Sequence, residues 1–124
     1  MSKTLSIVIP AYNEERTIHF ILDKVKNVQL VDGIKKEIII TNDCSRDDTE
    51  GAIRRYMQAN PDMNIQYRKH EVNKGKGAAL HTGIREATGD YIIIQDADNF
   101  HRMNYLCGPK VPAIPVYSHR KVVL

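Results

Sequence analysis

The sequence predicts an α/β domain, a mostly parallel sheet of about four strands with flanking helices in the order βαβαβαβ. Three observations carry that expectation. Strand-like runs recur at residues 5–10, 37–41, 64–68 and 91–94. Between them, apolar residues return at helical spacing. Turn formers (Pro10, Asp32-Gly33, Asn60-Pro61 and Gly89) punctuate the boundaries. Strands separated by helices cannot close as hairpins, so right-handed crossovers make the neighbours parallel.

Leu5-Ser6-Ile7-Val8-Ile9-Pro10 is rich in β-branched residues and ends at a proline, which reads as the first strand. Ala11-Tyr12-Asn13-Glu14 makes the turn. Ile18, Ile21, Leu22, Val25 and Val28 then mark an amphipathic helix over about residues 14–29, with Asn13 as its expected N-cap. Glu14 and Glu15 suit the positive end of such a helix. A second strand covers residues 37–41, and the polar loop 42–49 caps a second helix. Ile53, Tyr56 and Met57 form that helix's inner face, and Asn60-Pro61 stops it. Residues 64–68 alternate in polarity, as a half-exposed edge strand does. Asn73-Lys74-Gly75-Lys76-Gly77 is a glycine-rich entry to a third helix containing Ala78, Ala79, Ile84 and Ala87, with Gly89 expected as its C-cap. Tyr91-Ile92-Ile93-Ile94 is the fourth strand, apolar enough to be buried on both faces.

The chain has 124 residues, one domain's worth. Residues 1–98 hold 14 Lys and Arg against 15 Asp and Glu, whereas residues 99–124 hold four basic residues and no acid. Three of the five prolines also fall in that basic tail. Composition thus divides the chain into residues 1–98 and a Pro-containing tail over 99–124. Four charges without a stripe do not make a nucleic-acid surface, so no nucleic acid is expected as a partner. Cys44 and Cys107 lack C-x-x-C spacing, which argues against zinc and a disulfide framework. The five histidines are scattered and expected on solvated surfaces. No apolar run approaches the roughly 20 residues of a membrane span, and no signal-peptide pattern opens the chain, so a cytoplasmic location is expected.

Function concentrates at the strand ends. Asp96 and Asp98 follow the fourth strand directly, and ligands of open α/β sheets bind beyond the carboxyl ends of the strands. Paired hard oxygens there suit Mg²⁺ or Mn²⁺ together with a phosphate, although an Asp-rich surface turn has the same composition. Gly75-Lys76-Gly77 at a helix N-terminus suits an anion or is simply a flexible helix entry. A dinucleotide G-x-G-x-x-G fingerprint is missing after the first strand, and a G-x-x-x-x-G-K-[ST] phosphate loop is missing throughout.

Five ordered segments then coincide with one family: residues 7–14 (IVIPAYNE), 42–49 (NDCSRDDT), 73–79 (NKGKGAA), 89–91 (GDY) and the D-x-D of Asp96-Ala97-Asp98. In order and spacing they resemble the family 2 glycosyltransferases, and most closely the dolichyl- or polyprenyl-phosphate mannosyl/glucosyltransferase branch. The resemblance implies the Rossmann-like nucleotide-binding half of a GT-A fold and a UDP- or GDP-sugar donor, used for inverting transfer. A polyprenyl phosphate would be the acceptor. By the same resemblance Pro10, Ala11, Tyr12 and Glu14 hold the base and ribose, and Asp43 accepts from a base N–H. Lys76 lies near the base or diphosphate. Asp96 approaches ribose or sugar hydroxyls, and Asp96 with Asp98 holds Mn²⁺ or Mg²⁺. The plainer alternatives are a core or helix-flanking aromatic for Tyr12, a helix cap for Asp43 and a solvated cation for Lys76.

The resemblance stops just past Asp98. Phe100 stands where these enzymes usually have a polar residue, and Pro109, Pro112 and Pro115 disfavour a helix in the tail. The family's acceptor pocket and, where one is needed, its general base lie beyond the D-x-D motif, so no catalytic residue is assigned here. The chain is expected to be a truncated member that keeps the donor half. The alternative from another class is a non-catalytic nucleotide-binding or interaction module. A sheet ending at its fourth strand leaves an open edge, which either the tail or a second copy in a homodimer is expected to cover.

Overall fold

In the computed structural model, residues 3–28, 33–95, 113–117 and 120–123 are described. The elements are β1 (Thr4–Ala11), α1 (Ile18–Asn27), β2 (Lys35–Asn42), α2 (Thr49–Ala59), β3 (Ile65–Lys69), α3 (Lys76–Glu86), β4 (Tyr91–Ile94), β5 (Ala113–Tyr117) and β6 (Arg120–Val123). They build a six-stranded sheet in the order β3-β2-β1-β4-β6-β5. The pairs β1 with β2, β2 with β3, and β1 with β4 are all parallel, as the βαβαβαβ pattern requires.

That order explains where the helices lie. The chain steps outward from β1 to β2 to β3, then returns past β1 to β4. Right-handed crossovers put helices on one face during the outward steps and on the other for the return. Accordingly α1 and α2 pack with Ile7, Ile9, Ile38, Ile40 and Ile93, and Ile18, Ile21, Leu22, Val25 and Ile53 are fully buried there. On the opposite face Val8, Ile39 and Ile92 meet Leu80, Ile84 and Ala87. Alternate residues of β1 and β2 serve opposite cores, which is why both strands read as unbroken apolar runs. Each fully buried isoleucine contributes about 1.5–3 kcal/mol of transfer free energy. The reversal of direction falls between β1 and β4, the switch point at which such sheets open a crevice.

One buried charge lies away from that crevice. Glu37 is 1% exposed in β2. Its Oε2 accepts from Ser6 Oγ (2.7 Å), the Thr88 N–H (3.1 Å) and Thr88 Oγ1 (2.9 Å), and its Oε1 accepts from Gln66 Nε2 (3.1 Å). Four donors replace its hydration, so the carboxylate ties β1, β2, β3 and the α3–β4 turn together.

Two boundary expectations are corrected. The first helix begins at Ile18, not near residue 14, and Asn13 is not its cap. Asn13 adopts a left-handed φ of 54°, and the chain turns instead through Glu14, whose carbonyl accepts from Thr17 N (3.0 Å) and Ile18 N (2.8 Å). Gly89 is not a C-cap either, because α3 ends at Ala87 in extended conformation. A Cβ on Gly89 would stand 2.5 Å from Ser6 Oγ and 2.7 Å from the Thr4 carbonyl oxygen. Glycine is there to let the turn lie against β1.

The edge beside β4 is occupied by the chain's own tail: β6 pairs with it in parallel through Tyr91 to Ile93, and β5 returns antiparallel on β6. Of the two ways to cover that edge, the structure shows the first. The register shifts between Ile114 and Val116, at Pro115. An irregularity in the outermost strand is where a residue without an N–H fits a sheet.

Candidate functional site

The carboxyl ends of β1 and β2 and the N-terminus of α3 enclose a cavity of about 350 Å³. Pro10 and Ala11 line it from the end of β1, Tyr12 and Glu14 from the first loop, Asp43 from the second, Asn73 and Gly75 from the third, and Lys76 and Ala79 from α3. Pro10, Ala11, Tyr12, Glu14, Asp43 and Lys76, separated by up to 66 positions in the chain, therefore share one wall system. Asp96 and Asp98 follow β4 and lie outside the described residues. Tyr12 is 39% exposed at the rim, which removes the core-aromatic alternative.

The first two loops are bonded into one unit. Asn13 N donates to Ser45 Oγ (2.9 Å), and Asn13 Oδ1 accepts from Arg46 N (2.8 Å). Ser45 Oγ donates to Asn42 Oδ1 (2.6 Å). Glu14 N donates to Thr49 Oγ1 (2.8 Å), and Glu15 Oε1 accepts from Asp48 N (2.9 Å). Asp48 also accepts from Gly51 N and caps α2. The Asn, Asp and Ser residues that looked like generic turn formers thus spend their side chains joining one loop to another.

Asp43 holds the third loop. It is 3% exposed. Its Oδ1 accepts from Lys74 N and from His70 Nδ1, both at 2.8 Å, and its Oδ2 accepts from Gly75 N at 2.8 Å. Its carbonyl accepts from Asn73 Nδ2 (3.3 Å). Burial works to raise the Asp43 pKa, but the Lys74 N–H, the His70 ring and the Gly75 N–H outweigh it and hold the carboxyl below its ordinary value. Gly75 adopts φ 96°, which only glycine takes readily. The chain passes from there into α3, whose first-turn N–H groups and Lys76 make that wall favourable to an anion.

His70 corrects the expectation of solvated histidines. It is 8% exposed, with Nδ1 against Asp43 and Nε2 2.8 Å from Thr82 Oγ1 on α3. Its N–H donates to the Asn42 carbonyl (2.9 Å), which extends the β2–β3 ladder by one residue. Pattern reading missed it because a lone histidine carries no periodicity. The usable signal was its place, directly after a strand and on the edge where the other polar loops gather.

Glycosyl transferase family 2 matches residues 6–108. The chain belongs to that family. The match runs beyond Asp98, the last motif residue and the point at which the motifs alone place its end. The dolichyl-phosphate beta-glucosyltransferase of Dictyostelium discoideum is 37% identical over 99 residues, covering 76% of this chain and 30% of that relative. The chain thus spans about 30% of the length of the dolichyl-phosphate beta-glucosyltransferases it matches. A mannosyltransferase from Pyrobaculum calidifontis, solved with GDP-Man and Mn²⁺, has a TM-score of 0.72 at 28% identity, covering 91% of this chain and 35% of that one. A glucosyl-3-phosphoglycerate synthase from Mycobacterium tuberculosis, solved with Mn²⁺, UDP and glucosyl-3-phosphoglycerate, has a TM-score of 0.58 at 31% identity, covering 77% and 33%. The α/β sheet is therefore the nucleotide-binding half of a GT-A fold, as the motifs imply. No helix among the described residues is long and apolar enough to cross a membrane.

Proposed function

We propose that the chain binds a nucleoside-diphosphate sugar, carried on UDP or GDP, in the cavity between β1, β2 and α3. The carrying observation is the convergence of three chemically different walls on one space. Pro10, Ala11 and Ala79 offer apolar surface, and the exposed Tyr12 ring offers a stacking face at the rim. Asp43 supplies a carboxylate acceptor for a heterocycle N–H, while a phosphate is repelled there and finds Lys76 and the α3 N-terminus instead. Glu14, beside Tyr12, suits ribose hydroxyls. Apolar walls with few polar groups are the general anatomy of a small-molecule site.

The two solved relatives were captured with Mn²⁺ beside GDP-Man or UDP. Among the described residues no group of three or more His, Cys, Asp or Glu side chains could hold a metal ion. By the D-x-D motif and the family resemblance the protein ligands would be Asp96 and Asp98, with Asp96 also reaching ribose or sugar hydroxyls. When bound, Mn²⁺ or Mg²⁺ supplies Lewis-acid stabilisation to the leaving nucleoside diphosphate. The contribution of this chain is to bind and orient the donor. Inverting transfer to a polyprenyl phosphate is the whole-enzyme activity this half would serve, and such an acceptor is already anionic, so its attack needs no general base.

Calorimetric titration of UDP and of GDP, with and without Mn²⁺, tests the reading on wild type and Asp98→Ala. Metal-dependent binding of one nucleotide, lost in the variant, is the expected result. Absence of binding by both overturns the proposal.

A further inference from the structure

The cavity's buried carboxylate has almost no acceptor capacity left. A carboxylate offers two lone-pair positions on each oxygen. On Asp43 both positions of Oδ1 are taken, by His70 Nδ1 and Lys74 N, each at 2.8 Å. One position of Oδ2 is taken by Gly75 N at 2.8 Å. A single position remains, on Oδ2. The two backbone donors are fixed by the loop, so His70 is the side chain that sets this number. Its ring is locked from behind by Thr82 Oγ1, 2.8 Å from Nε2.

We propose that His70 is a specificity-determining positioning residue, which fills Oδ1 of Asp43 and so restricts the cavity to a base presenting one N–H there, uracil rather than guanine. The inference rests on the donor-site reading above. Uracil presents a single ring N–H between two carbonyls, which one free position on Oδ2 satisfies. Guanine presents its ring N–H and amino group side by side, and pairing both with a carboxylate requires one position on each oxygen. Oδ1 has none, so one guanine donor is desolvated without a partner.

Competing titrations of UDP and GDP at saturating Mn²⁺ on wild type, His70→Phe, His70→Asn and Thr82→Val test this. Wild type is expected to prefer UDP by about tenfold or more, the usual effect of one unmatched buried donor. His70→Phe frees a position on Oδ1 and is expected to bring the ratio towards one. His70→Asn keeps an N–H donor near Nδ1 and is expected to restore the preference. General destabilisation weakens both nucleotides together and leaves the ratio unmoved, so the ratio separates positioning from folding. Should His70→Phe fail to fold, Thr82→Val, which unlocks the ring, must lower the ratio in its place. Equal or tighter GDP binding by wild type overturns the proposal, as does a ratio unchanged in His70→Phe or, if that variant is unfolded, in Thr82→Val. If neither nucleotide binds, the donor-site reading itself falls and takes the base assignment with it, an outcome distinct from GDP winning.

Discussion

An ionised carboxylate as enclosed as Asp43 loses several kcal/mol of hydration, and it survives as an anion only because donors converge on it. Those donors belong to the glycine-rich loop and to His70, so the charge and the loop stabilise one another. The sign of the pH effect follows. The folded-state pKa lies below the ordinary 3.8, so the stabilisation is complete above about pH 4 and is lost as pH falls through the lower folded value. Asp43→Asn replaces an acceptor by an amide whose N–H₂ faces other donors. It should lower urea-unfolding stability at pH 7 by about 1–3 kcal/mol, and its deficit against wild type should shrink as pH drops below 4. A constant deficit down to pH 2 would show that the carboxylate's charge contributes nothing. At this scale the sequence made the loop residues visible but not their roles. Asn13 has the chemistry of both an N-cap and a left-handed turn residue, and only the position of Ser45 and Arg46 on the neighbouring loop decides between them.

Among the elements, α3 is the one whose placement fixes the site, since it carries Lys76 and Ala79 on the cavity and Thr82 behind His70. It reaches β1 by close approach at Gly83, where a Cβ would stand 2.4 Å from Val8 Cγ1. Val8 is completely buried in β1, packed with Ile39, Ala87 and Ile92, and has nowhere to move. Gly83→Ala gains about 1 kcal/mol of helix propensity, but overpacking a filled interior costs about 1–3 kcal/mol. The contact wins, so a net loss of stability is expected, together with weaker nucleotide binding as α3 is pushed off the sheet. Thermal unfolding of the variant checks this, and a raised Tm would mean that the helix slides without resistance. The same element shows why patterns find helices more easily than their ends. Ala79, Ile84 and Ala87 announce its buried face, while the glycine that looks like a stop signal, Gly89, answers to Ser6 and Thr4 on a strand over 80 positions away.

For the whole molecule, the parallel core was legible because burial on both faces demands unbroken runs such as Ile38-Ile39-Ile40 and Ile92-Ile93-Ile94. The strand order β3-β2-β1-β4 was not, because crossover handedness sets the face on which each helix lies and not which strands are neighbours. The tail was not legible: its prolines disfavour a helix, yet nothing local says that residues 120–123 pair with β4 rather than run free. The pairing nevertheless decides what the sheet exposes. With β6 in place, the apolar β4 is an interior strand and the outer edge belongs to β5. Without it, Tyr91-Ile92-Ile93-Ile94 would present unpaired N–H and C=O groups along a flat, uncharged edge, the arrangement that recruits another chain. Deleting residues 113–124 should therefore turn the protein into one that associates as its concentration rises, measured as growing mass by multi-angle light scattering across a dilution series. A deletion variant that stays monomeric throughout the series would mean that β6 is not what keeps the β4 edge from pairing between molecules.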